Sequence, residues 1–587
     1  MTHPALAGPF EARAALDQVG VGNARLAGRR GATAGDDPGS ERCVRSYVTL
    51  RFAIGVLGLA LPFLLVLVEP ILFLLGRSGR AQSARSCHAA DTEPPARRPN
   101  VADVLARAVT HALVGLEARR VEVEAHLQGT LPAFTIVGLA DRACQEAKER
   151  VRSGVRSAEC RWPDGRITVN LAPAALRKEG SGFDLPIALA VLAASGQIPR
   201  AELERHAVHG ELALDGRVRP VAGVFAVAEG SKRAGLPRII CAAQTAPEAA
   251  LAGIEPVPVW HLAEAVAYLR GELLPDPIPP RNGVAPAAGP DLADVRGQER
   301  ARRALEIAAA GRHNLLFGGP PGTGKTMLAR RLPGLLPELD ESASLEVTRI
   351  HSVAGVLRVE HPLVTVPPFR APHHTASAAA IVGGGRGPRP GEASLAHHGV
   401  LLLDELPEFV RPALEALRQP LEDGVISVAR AEGTALYPAS FQLVGTMNLC
   451  PCGARGDPTV ACTCSAQRLA AYGNKLSRAL LDRFDLVVVV PRPRAVQLAA
   501  GKSEGSVAVR ARVAAARARL SDCTPARDEN ADALLTRAVD QLPLSGRGRA
   551  RVARVAATIA ALAEAESVAS AHVAEALSYR APKELKA

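Results

Sequence analysis

Eight consecutive residues of this chain combine glycines, a lysine and a threonine at a fixed spacing. They form the pattern G-x-x-x-x-G-K-[ST] and read, in order, Gly319, Pro320, Pro321, Gly322, Thr323, Gly324, Lys325 and Thr326. Glycines let the backbone wrap around phosphates so that its N–H groups point at them. Lys325 adds positive charge for the β- and γ-phosphates, and the hydroxyl of Thr326 can bind Mg²⁺. The pattern therefore predicts binding of ATP together with magnesium.

The residues on either side of this loop predict the elements that hold it in place. Residues 314–317 form a short, mostly apolar stretch before the loop, and residues 327–332 carry apolar side chains at helical spacing after it. A buried strand, a glycine-rich turn and a helix form the arrangement that aims backbone N–H groups at phosphates. We therefore expect a nucleotide-binding loop and not an ordinary turn.

Two further apolar stretches are predicted strands that end in polar residues. Residues 399–403 lead into Asp404 and Glu405, and residues 441–447 lead into Asn448. Asp404 is expected to hold the Mg²⁺ shell, and Glu405 to polarise the water that attacks the γ-phosphate. Asn448 is expected to orient that water. These residues extend the prediction from binding of ATP to its hydrolysis.

Two arginines are candidates for stabilising the charge of the transition state. Arg483 lies in the segment Leu-Leu-Asp-Arg-Phe-Asp at 480–485, directly before a predicted strand. We expect it to reach the γ-phosphate held by a neighbouring subunit, a contact worth about 10³-fold or more in rate. A surface salt bridge is the alternative for Arg483. Arg547 begins a long predicted helix, from which we expect it to contact phosphate bound to its own chain.

The order of these motifs resembles that of AAA+ ATPases of the magnesium-chelatase-like branch. Residues 294–298 (Asp-Val-Arg-Gly-Gln), followed by 303–308 (Arg-Ala-Leu-Glu-Ile-Ala), are similar to the segment beside the nucleotide base in that branch. The resemblance implies that Gln298 contacts nucleotide. It also implies an α/β fold in which an AAA+ P-loop domain is followed by a helical C-terminal lid.

Two segments are more specific and resemble the YifB/ComM family. They are residues 369–377, Phe-Arg-Ala-Pro-His-His-Thr-Ala-Ser, and residues 448–453, Asn-Leu-Cys-Pro-Cys-Gly. The resemblance runs from about Val104 to Arg580. It implies a homo-hexameric ring motor with single-stranded or branched DNA as partner, and a helicase or branch-migration role in recombination or natural transformation. The alternatives are a magnesium-chelatase-type subunit acting in porphyrin metalation and a non-enzymatic scaffold.

Four of the ten cysteines lie within one short segment. Cys450 and Cys452 form one C-x-C pair, and Cys462 and Cys464 form another. Glycines and a proline between the pairs allow the segment to turn back and bring four thiolates together. Four thiolates in a tetrahedral arrangement suit Zn²⁺, in the manner of structural zinc sites. A redox pair or unliganded thiols are the alternatives.

Two pairs of adjacent histidines, His373–His374 and His397–His398, leave three interpretations open. They could form a second metal site, or belong to loops that face a DNA-filled pore, where Arg370 and Arg386 would contact phosphates. They could also be surface residues without a function. Aromatic residues make up 3% of the chain, which disfavours stacking on bases. We therefore expect contacts with the DNA backbone that tolerate any sequence.

Two segments before the loop, residues 178–186 and 210–218, carry a second resemblance. They resemble a Lon-protease-like domain, an α+β domain of the ribosomal S5 type. Active proteases of this fold have a serine nucleophile in the first segment and a lysine after the second. Here the serine position falls on Gly182 and the lysine position on Phe225. Without nucleophile and base, serine–lysine catalysis cannot occur, so we expect a scaffold or DNA-guiding role and no peptidase activity.

A chain of 587 residues is too long for a single core, so we expect several domains. Its net charge of +11 suits an anionic partner. The ten cysteines are not those of a secreted disulfide scaffold. The predicted parts are an N-terminal extension at 1–100, the Lon-protease-like domain at 101–274, a proline-, alanine- and glycine-rich linker at 275–290, an AAA+ core at 291–494 with a cysteine insert at 450–464, and a helical lid or C-terminal domain at 495–587.

The predicted extension contains an apolar run at residues 52–75, whose length fits a transmembrane helix. Pro62 and Glu69 interrupt the run, and arginines flank both of its sides, so no orientation is favoured. Because the family resemblance begins only after residue 100, we expect residues 1–100 to be disordered or to precede the true start, at Val101 or Val104. We therefore expect a cytoplasmic protein without membrane association.

Overall fold

The computed structural model describes residues 104–278, 289–385, 389–430, 433–499, 501, 503–542 and 544–580. The predicted extension at 1–100, its apolar run, most of the predicted linker and Arg386 lie outside these ranges. Among the helices of the described residues, none is long and apolar enough to cross a membrane.

The described part of the first domain contains nine strands. In chain order they are β1 (Val104–Val114), β2 (Glu117–Gln128), β3 (Ala133–Val137), β4 (Arg166–Ala172), β5 (His206–His209), β6 (Glu211–Leu212), β7 (Val218–Arg219), β8 (Arg238–Ala242) and β9 (Glu255–Val259). β6 and β7 form a short hairpin, and the others form one sheet in the order β3-β4-β2-β1-β5-β8-β9. β2 pairs antiparallel with β1 and β4, and the remaining neighbours are parallel.

Burial in this domain follows the sequence pattern of its elements. Val121, Val123, Ala125 and Leu127 of β2 are buried while their neighbours are partly exposed, the period of two expected of a strand with one covered face. The helices are α1 (Arg142–Ser157), α2 (Asp184–Ala194), α3 (Arg200–Glu204), α4 (Val224–Arg233), α5 (Ala246–Ala250) and α6 (Leu262–Leu269). All residues of α2 are buried, so this helix lies in the centre of the core.

Five parallel strands form the sheet of the second domain. The strands that follow the first domain are β10 (Leu315–Gly318), β11 (Phe369–Arg370), β12 (Val400–Leu403), the hairpin strands β13 (Val425–Arg430) and β14 (Gly433–Pro438), β15 (Gln442–Met447) and β16 (Leu486–Val489). The sheet has the order β11-β12-β15-β10-β16. Its central strands are fully buried because helices cover both faces. All five strands end at the same edge, here called the carboxyl edge; the opposite edge is the amino edge.

The helices of the second domain fall into two groups. Those around the sheet are α7 (Glu299–Gly311), α8 (Lys325–Ala329), α9 (Glu341–Ala354), α10 (Ala378–Val382), α11 (Glu392–Leu395), α12 (Arg411–Ala416), α13 (Arg418–Asp423), α14 (Ala466–Gly473), α15 (Arg478–Leu481) and α16 (Ala495–Ala499). The C-terminal group is α17 (Ser506–Asp522), α18 (Glu529–Gln541), α19 (Gly546–Leu562) and α20 (Ser570–Ser578), with a short ladder between β17 (Ala526–Arg527) and β18 (Ser567–Val568). Val513, Val552 and Ile559 share one buried cluster with Leu315 and Phe317 of β10.

Helix α9 joins the two domains. The guanidinium of Arg349 forms two hydrogen bonds with the carboxylate of Glu229, at 2.7 and 2.6 Å. One turn further, the carbonyl of Ser352 accepts from the N–H of Gly223 at 2.9 Å, and its hydroxyl donates to Glu248. Bidentate arginine–carboxylate pairs fix orientation as well as distance. The first domain is therefore held against the second at a defined angle.

Candidate nucleotide site

The glycine-rich loop lies at the carboxyl edge, between β10 and α8. Gly324 precedes α8 with a φ of +89°, a backbone conformation that favours glycine. At Gly319 a Cβ atom would lie 2.4 Å from the carbonyl oxygen of Val490, so the close approach of these two chain segments requires glycine. Both constraints keep the loop curled at the N-terminus of α8, where N–H groups can bind an anion.

The ammonium group of Lys325 lies inside the loop. It donates to the carbonyl oxygens of Gly319 at 2.9 Å and Pro320 at 2.7 Å, and to the side-chain oxygen of Asn448 at 3.2 Å. Burial lowers the pKa of Lys325, and the nearby carboxylates of Asp404 and Glu405 act in the opposite direction. The lysine is therefore positioned where the phosphates of a nucleotide would pass.

Asp404 and Thr326 are in direct contact, as two ligands of one magnesium shell would be. The hydroxyl of Thr326 donates to the two carboxylate oxygens at 2.9 and 3.1 Å. A carboxylate and a hydroxyl are oxygen ligands of the kind that Mg²⁺ uses beside substrate phosphates. These two residues therefore fit the metal that accompanies ATP.

Thr446, on the neighbouring strand β15, fixes both acidic residues and was not predicted from the sequence. Its hydroxyl donates to Asp404 at 2.5 Å and accepts from the backbone N–H of Glu405 at 3.1 Å. The signal that could have revealed it is a polar residue in a fully buried strand. A buried hydroxyl needs partners, and here the partners are the two catalytic candidates.

Glu405 turns away from the strand that precedes it. Its φ of +55° is rare for a residue with a side chain and directs the carboxylate out of the sheet. The side chain is 60% exposed, and its oxygen lies 3.8 Å from Nδ1 of His374. In the sequence, His374 is considered only as one of a pair of adjacent histidines, and no role is predicted for it at the nucleotide site. The structure brings it to the carboxylate that would polarise water.

Asn448 lies between the loop and the acidic pair because β15 separates β10 from β12. Its side-chain oxygen contacts Lys325, and its carbonyl accepts from the hydroxyl of Tyr472 at 3.2 Å. Gln298 is also at the carboxyl edge, where its amide donates to the carbonyl of Pro491 at 2.7 Å. The residues predicted to bind and hydrolyse nucleotide thus come together around one loop, with the exception of the two arginines.

Arg483 lies at the amino edge of the sheet, opposite the loop. Its backbone carbonyl accepts from the side chain of Asn314, the residue directly before β10. Four strand residues lie between Asn314 and Gly319, and the five residue steps span roughly 16 Å. Its guanidinium donates to Ala479 and to the carboxylate of Glu422. From this position the side chain cannot reach phosphate bound in the loop of its own chain.

The structure places Arg547 away from the loop of its own chain, where the sequence led us to expect it. Arg547 donates to Glu422 at 2.9 Å, the carboxylate that also binds Arg483. Helix α19 then continues along the amino edge, where Thr558 contacts His313 at 2.8 Å. Within the described chain, neither arginine contacts a residue of the loop. The packing of α19 on the amino edge is the physical reason, since it carries Arg547 away from the carboxyl edge.

The four clustered cysteines lie beside the nucleotide loop. Their sulfur atoms are all within 4.8 Å of one another, and each is a free thiol. The Sγ atoms of Cys450 and Cys452 are 3.3 Å apart. The Sγ atom of Cys462 lies 3.7 Å from that of Cys450 and 3.6 Å from that of Cys452. The structure therefore assembles the predicted four-thiolate set, a donor set that can hold a soft metal ion.

The pair His397–His398 contacts one carboxylate, that of Glu346, at 3.1 and 3.0 Å. The backbone N–H of Ser440 donates to Nδ1 of His397, so its Nε2 carries the proton of the neutral ring and donates to Glu346. Burial lowers the pKa of His397 to about 4, which keeps the ring neutral. This nitrogen of His397 is therefore not free to bind a metal, and His397 acts as a hydrogen-bond donor between the chain before β12 and α9.

Arg370 is not a free cation. Its guanidinium forms two hydrogen bonds with Glu392, at 2.6 and 2.8 Å, and the side chain is about one-third exposed. The expectation that it contacts DNA phosphates would require this pair to break.

In the first domain, Gly182 and Phe225 are both buried, and the hydroxyl of Ser181 donates to Glu211. The ammonium of Lys178 donates to the carbonyl of Pro173 and not to Ser181.

The second domain has a sheet of five parallel strands. Strand β10, which leads into the loop, lies between β15, which leads into Asn448, and β16, which follows Arg483. This arrangement defines the second domain as an AAA+ ATPase domain. Three family models match along the chain. They are described as Magnesium chelatase, subunit ChlI, at residues 291–498; Subunit ChlI of Mg-chelatase, at 123–245; and Magnesium chelatase, subunit ChlI C-terminal, at 520–580.

Several curated proteins are similar over nearly their whole length. The protein Rv2897c of Mycobacterium tuberculosis is 47% identical and covers 81% of this chain and 98% of its own. Competence protein ComM of Haemophilus influenzae is 43% identical, over 81% and 97%. YifB of Escherichia coli is 42% identical, over 80% and 96%. The chain therefore belongs to the YifB/ComM family of magnesium-chelatase-like AAA+ proteins, which confirms the resemblance drawn from the sequence.

Proposed function

We propose that this protein is an ATP-hydrolysing motor that acts on DNA as a ring of identical subunits. The observation that carries the proposal is the separation of the loop from Arg483 and Arg547. The loop, Asp404 and Glu405 lie at the carboxyl edge of the sheet, and both arginines lie at the amino edge. One chain therefore supplies two halves of a hydrolytic site that face different neighbours.

Hydrolysis would follow from the geometry at the carboxyl edge. Lys325 and the N-terminus of α8 would bind the phosphates, while Thr326 and Asp404 would hold Mg²⁺, which supplies charge neutralisation on the phosphates when bound. Glu405, beside His374, would accept the proton of the attacking water. Asn448 is close enough to Lys325 to orient that water near the γ-phosphate.

A repeated head-to-tail contact would place the amino edge of one subunit against the carboxyl edge of the next, and such a contact forms a ring when the rotation between neighbours closes. Arg483 and Arg547 would then stabilise the charge that develops on the neighbour's γ-phosphate. The proposed ring is a homo-hexamer. Release of both arginines from Glu422 would accompany binding of ATP at the interface.

The proposal of DNA as the substrate of the motor rests on the family and on charge. One relative is named as a competence protein, and the chain carries a net charge of +11. The proposed activity is that of a helicase or branch-migration factor in the cytoplasm, and the DNA contacts would be made mainly with phosphates. We assign the first domain to the Lon-protease-like, S5-type fold and the C-terminal helices to a lid, and give the first domain a scaffold role in the ring.

ATPase rates of the full chain with single-stranded, double-stranded and branched DNA test this function. We expect stimulation by DNA, and strand exchange on a branched substrate that requires ATP. Lys325→Ala should abolish nucleotide binding, whereas Glu405→Gln should retain binding and lose turnover. An ATPase rate that none of these DNA substrates changes would refute the proposed action on DNA, and the proposal would then be limited to ATP hydrolysis.

A magnesium-chelatase-type subunit is the second candidate, because the family models that match are named for that enzyme. Such a subunit would show an ATPase rate that responds to a porphyrin and to a partner subunit. The same assay separates the candidates, since one predicts a response to DNA and the other a response to porphyrin.

A further inference from the structure

The segment that carries the four cysteines, residues 450–464, is packed against the nucleotide site. Cys450 follows Asn448 by two residues, and the intervening Leu449 is buried beside Gly318. Gly453 lies so close to the loop that an added Cβ atom would be 3.0 Å from Cδ of Pro321. One face of the segment therefore forms part of the wall around the loop.

The opposite end of the segment is tied to the strand on the other side of the loop. Arg492, which follows β16, pairs with Asp457 at 3.3 Å and donates to the hydroxyl of Thr459 at 3.1 Å. Next to the start of the segment, the hydroxyl of Tyr472 donates a hydrogen bond to the carbonyl of Asn448. The segment thus spans the carboxyl ends of β15 and β16, and β10 with its loop lies between them.

The distances between the sulfur atoms suit a tetrahedral ion. Zn–S bonds of about 2.3 Å at tetrahedral angles place sulfur atoms about 3.8 Å apart. The measured separations among Cys450, Cys452 and Cys462 are 3.3, 3.6 and 3.7 Å. The backbone N–H of Arg455 also donates to the sulfur of Cys450 at 3.2 Å, as outer partners of metal thiolates do. Cys464 completes the set.

We propose that Cys450, Cys452, Cys462 and Cys464 bind one Zn²⁺, and that this ion positions Asn448 and the wall of the loop for hydrolysis. The four thiols lose their protons on binding, and the ion leaves no coordination position open. The segment 450–464 is without a helix or strand, so the metal supplies the rigidity that such a segment lacks. The role of the ion in turnover rests on the proposed ATPase function; the binding of the ion does not.

Metal analysis of the purified full chain tests the site itself. We expect about one zinc per chain, and loss of that zinc in the double variant Cys462→Ser/Cys464→Ser. Cys523→Ser, which changes an exposed cysteine directly after α17, is the matched control and should retain the metal. Wild-type protein that contains no zinc, or contains iron in its place, would overturn the proposal whether or not the protein hydrolyses ATP.

A second measurement tests the positioning role. Zinc removed from the wild type by a chelator should lower kcat by ~10- to 100-fold, the cost of displacing a reacting group by about 1 Å. Binding of a fluorescent ATP analogue should stay within about threefold, because the hydrogen bonds described for Lys325 go to Gly319, Pro320 and Asn448 and none of them to a cysteine. Added Zn²⁺ should restore the rate. An unchanged kcat after complete loss of zinc would reduce the ion to a part of the fold and overturn the positioning role.

Hydrogen exchange separates this inference from the ATPase proposal. Removal of zinc should raise exchange in residues 319–326 and 448–453 in the absence of nucleotide, while exchange in α2 stays constant. This readout requires no turnover. If the wild type hydrolyses no ATP but its exchange rises on removal of zinc, the positioning role of the zinc is supported and the proposed function is refuted. If turnover is normal and exchange does not change, the positioning role is refuted and the proposed function is retained.

Discussion

Arg547, the second residue of α19, forms an ion pair with Glu422 at 2.9 Å. Because Glu422 also binds Arg483 at the amino edge, this contact places the first arginine of α19 on that side of the sheet. Electrostatic stabilisation of a transferring phosphoryl group needs cations within contact distance of its oxygens. Both arginines lie at the edge opposite the loop of their own chain, which is why we propose that their target is another copy.

Mixing of two inactive variants should therefore restore activity. Lys325→Ala removes phosphate binding, and Arg547→Ala removes a side chain that is 69% exposed and hence dispensable for folding. In a mixed ring about a quarter of the interfaces combine an intact loop with an intact arginine. We expect an ATPase rate that rises from near zero to at most about a quarter of the wild type. No recovery at any ratio would show that Arg547 acts within its own chain.

Removal of one buried hydroxyl should slow turnover without unfolding the protein. Thr446→Val keeps the shape of the side chain but deletes the bonds to Asp404 and to the N–H of Glu405. We expect kcat to fall by ~10- to 100-fold, as for other residues that orient metal ligands. Thr536→Val, at an exposed position of α18, is the control and should leave kcat unchanged. Equal rates in both variants would contradict the role of Thr446.

Acid should destabilise the protein in a defined pH window. Burial lowers the pKa of His313 to about 4 in the folded protein, against an ordinary value of 6.5; Asp485 raises it and Arg554 lowers it further. Between these values the unfolded chain binds a proton that the folded chain does not, so stability is lost as the pH falls from about 6.5 to 4. His111 and His209 act in the same direction.

Thermal unfolding at several pH values checks this expectation. The melting temperature of the wild type should fall steadily below pH 6.5, and the fall should be shallower in His313→Gln, which retains a group able to bond Thr558. His361→Gln, at an exposed position, should follow the wild type. A melting temperature that stays constant from pH 6.5 to 4 would contradict the burial argument.

Gly182, the position at which the resemblance to Lon-type proteases places the serine nucleophile, should not accept a larger residue. At Gly182 a Cβ atom would lie 2.4 Å from the ring of His209, which is buried. We expect Gly182→Ala to destabilise the protein by ~1–3 kcal/mol through overpacking, and Gly182→Ser to gain no peptidase activity. Gly546→Ala, where nothing lies within 4 Å of the added atom, is the matched control. Stability of Gly182→Ala equal to that of this control would show that His209 moves aside.

The nucleotide site was predictable because its residues follow short apolar strands. Asp404, Glu405 and Asn448 each end such a strand, and parallel strands bring their carboxyl ends to one edge. The position of Arg547 was not predictable in this way. The start of α19 is visible in the sequence, but the edge on which it packs depends on contacts such as Thr558 with His313, which are 245 residues apart. The role of Thr446 was not predictable from the sequence because its partners, Asp404 and Glu405, follow a different strand, β12.

Helix α9 contacts the nucleotide-binding domain and the first domain along the same stretch of its length. Glu346 binds the two histidines that lead into β12, the strand before Asp404, and His351 bonds the carbonyl of Leu395 in the same domain. Arg349 and Ser352, which alternate with these residues, bind the first domain. From Glu346 to Ser352 the helix rises by about 9 Å. Because both sets of contacts share this short length, a shift of the chain before β12 would carry α9 and the first domain with it as one rigid body.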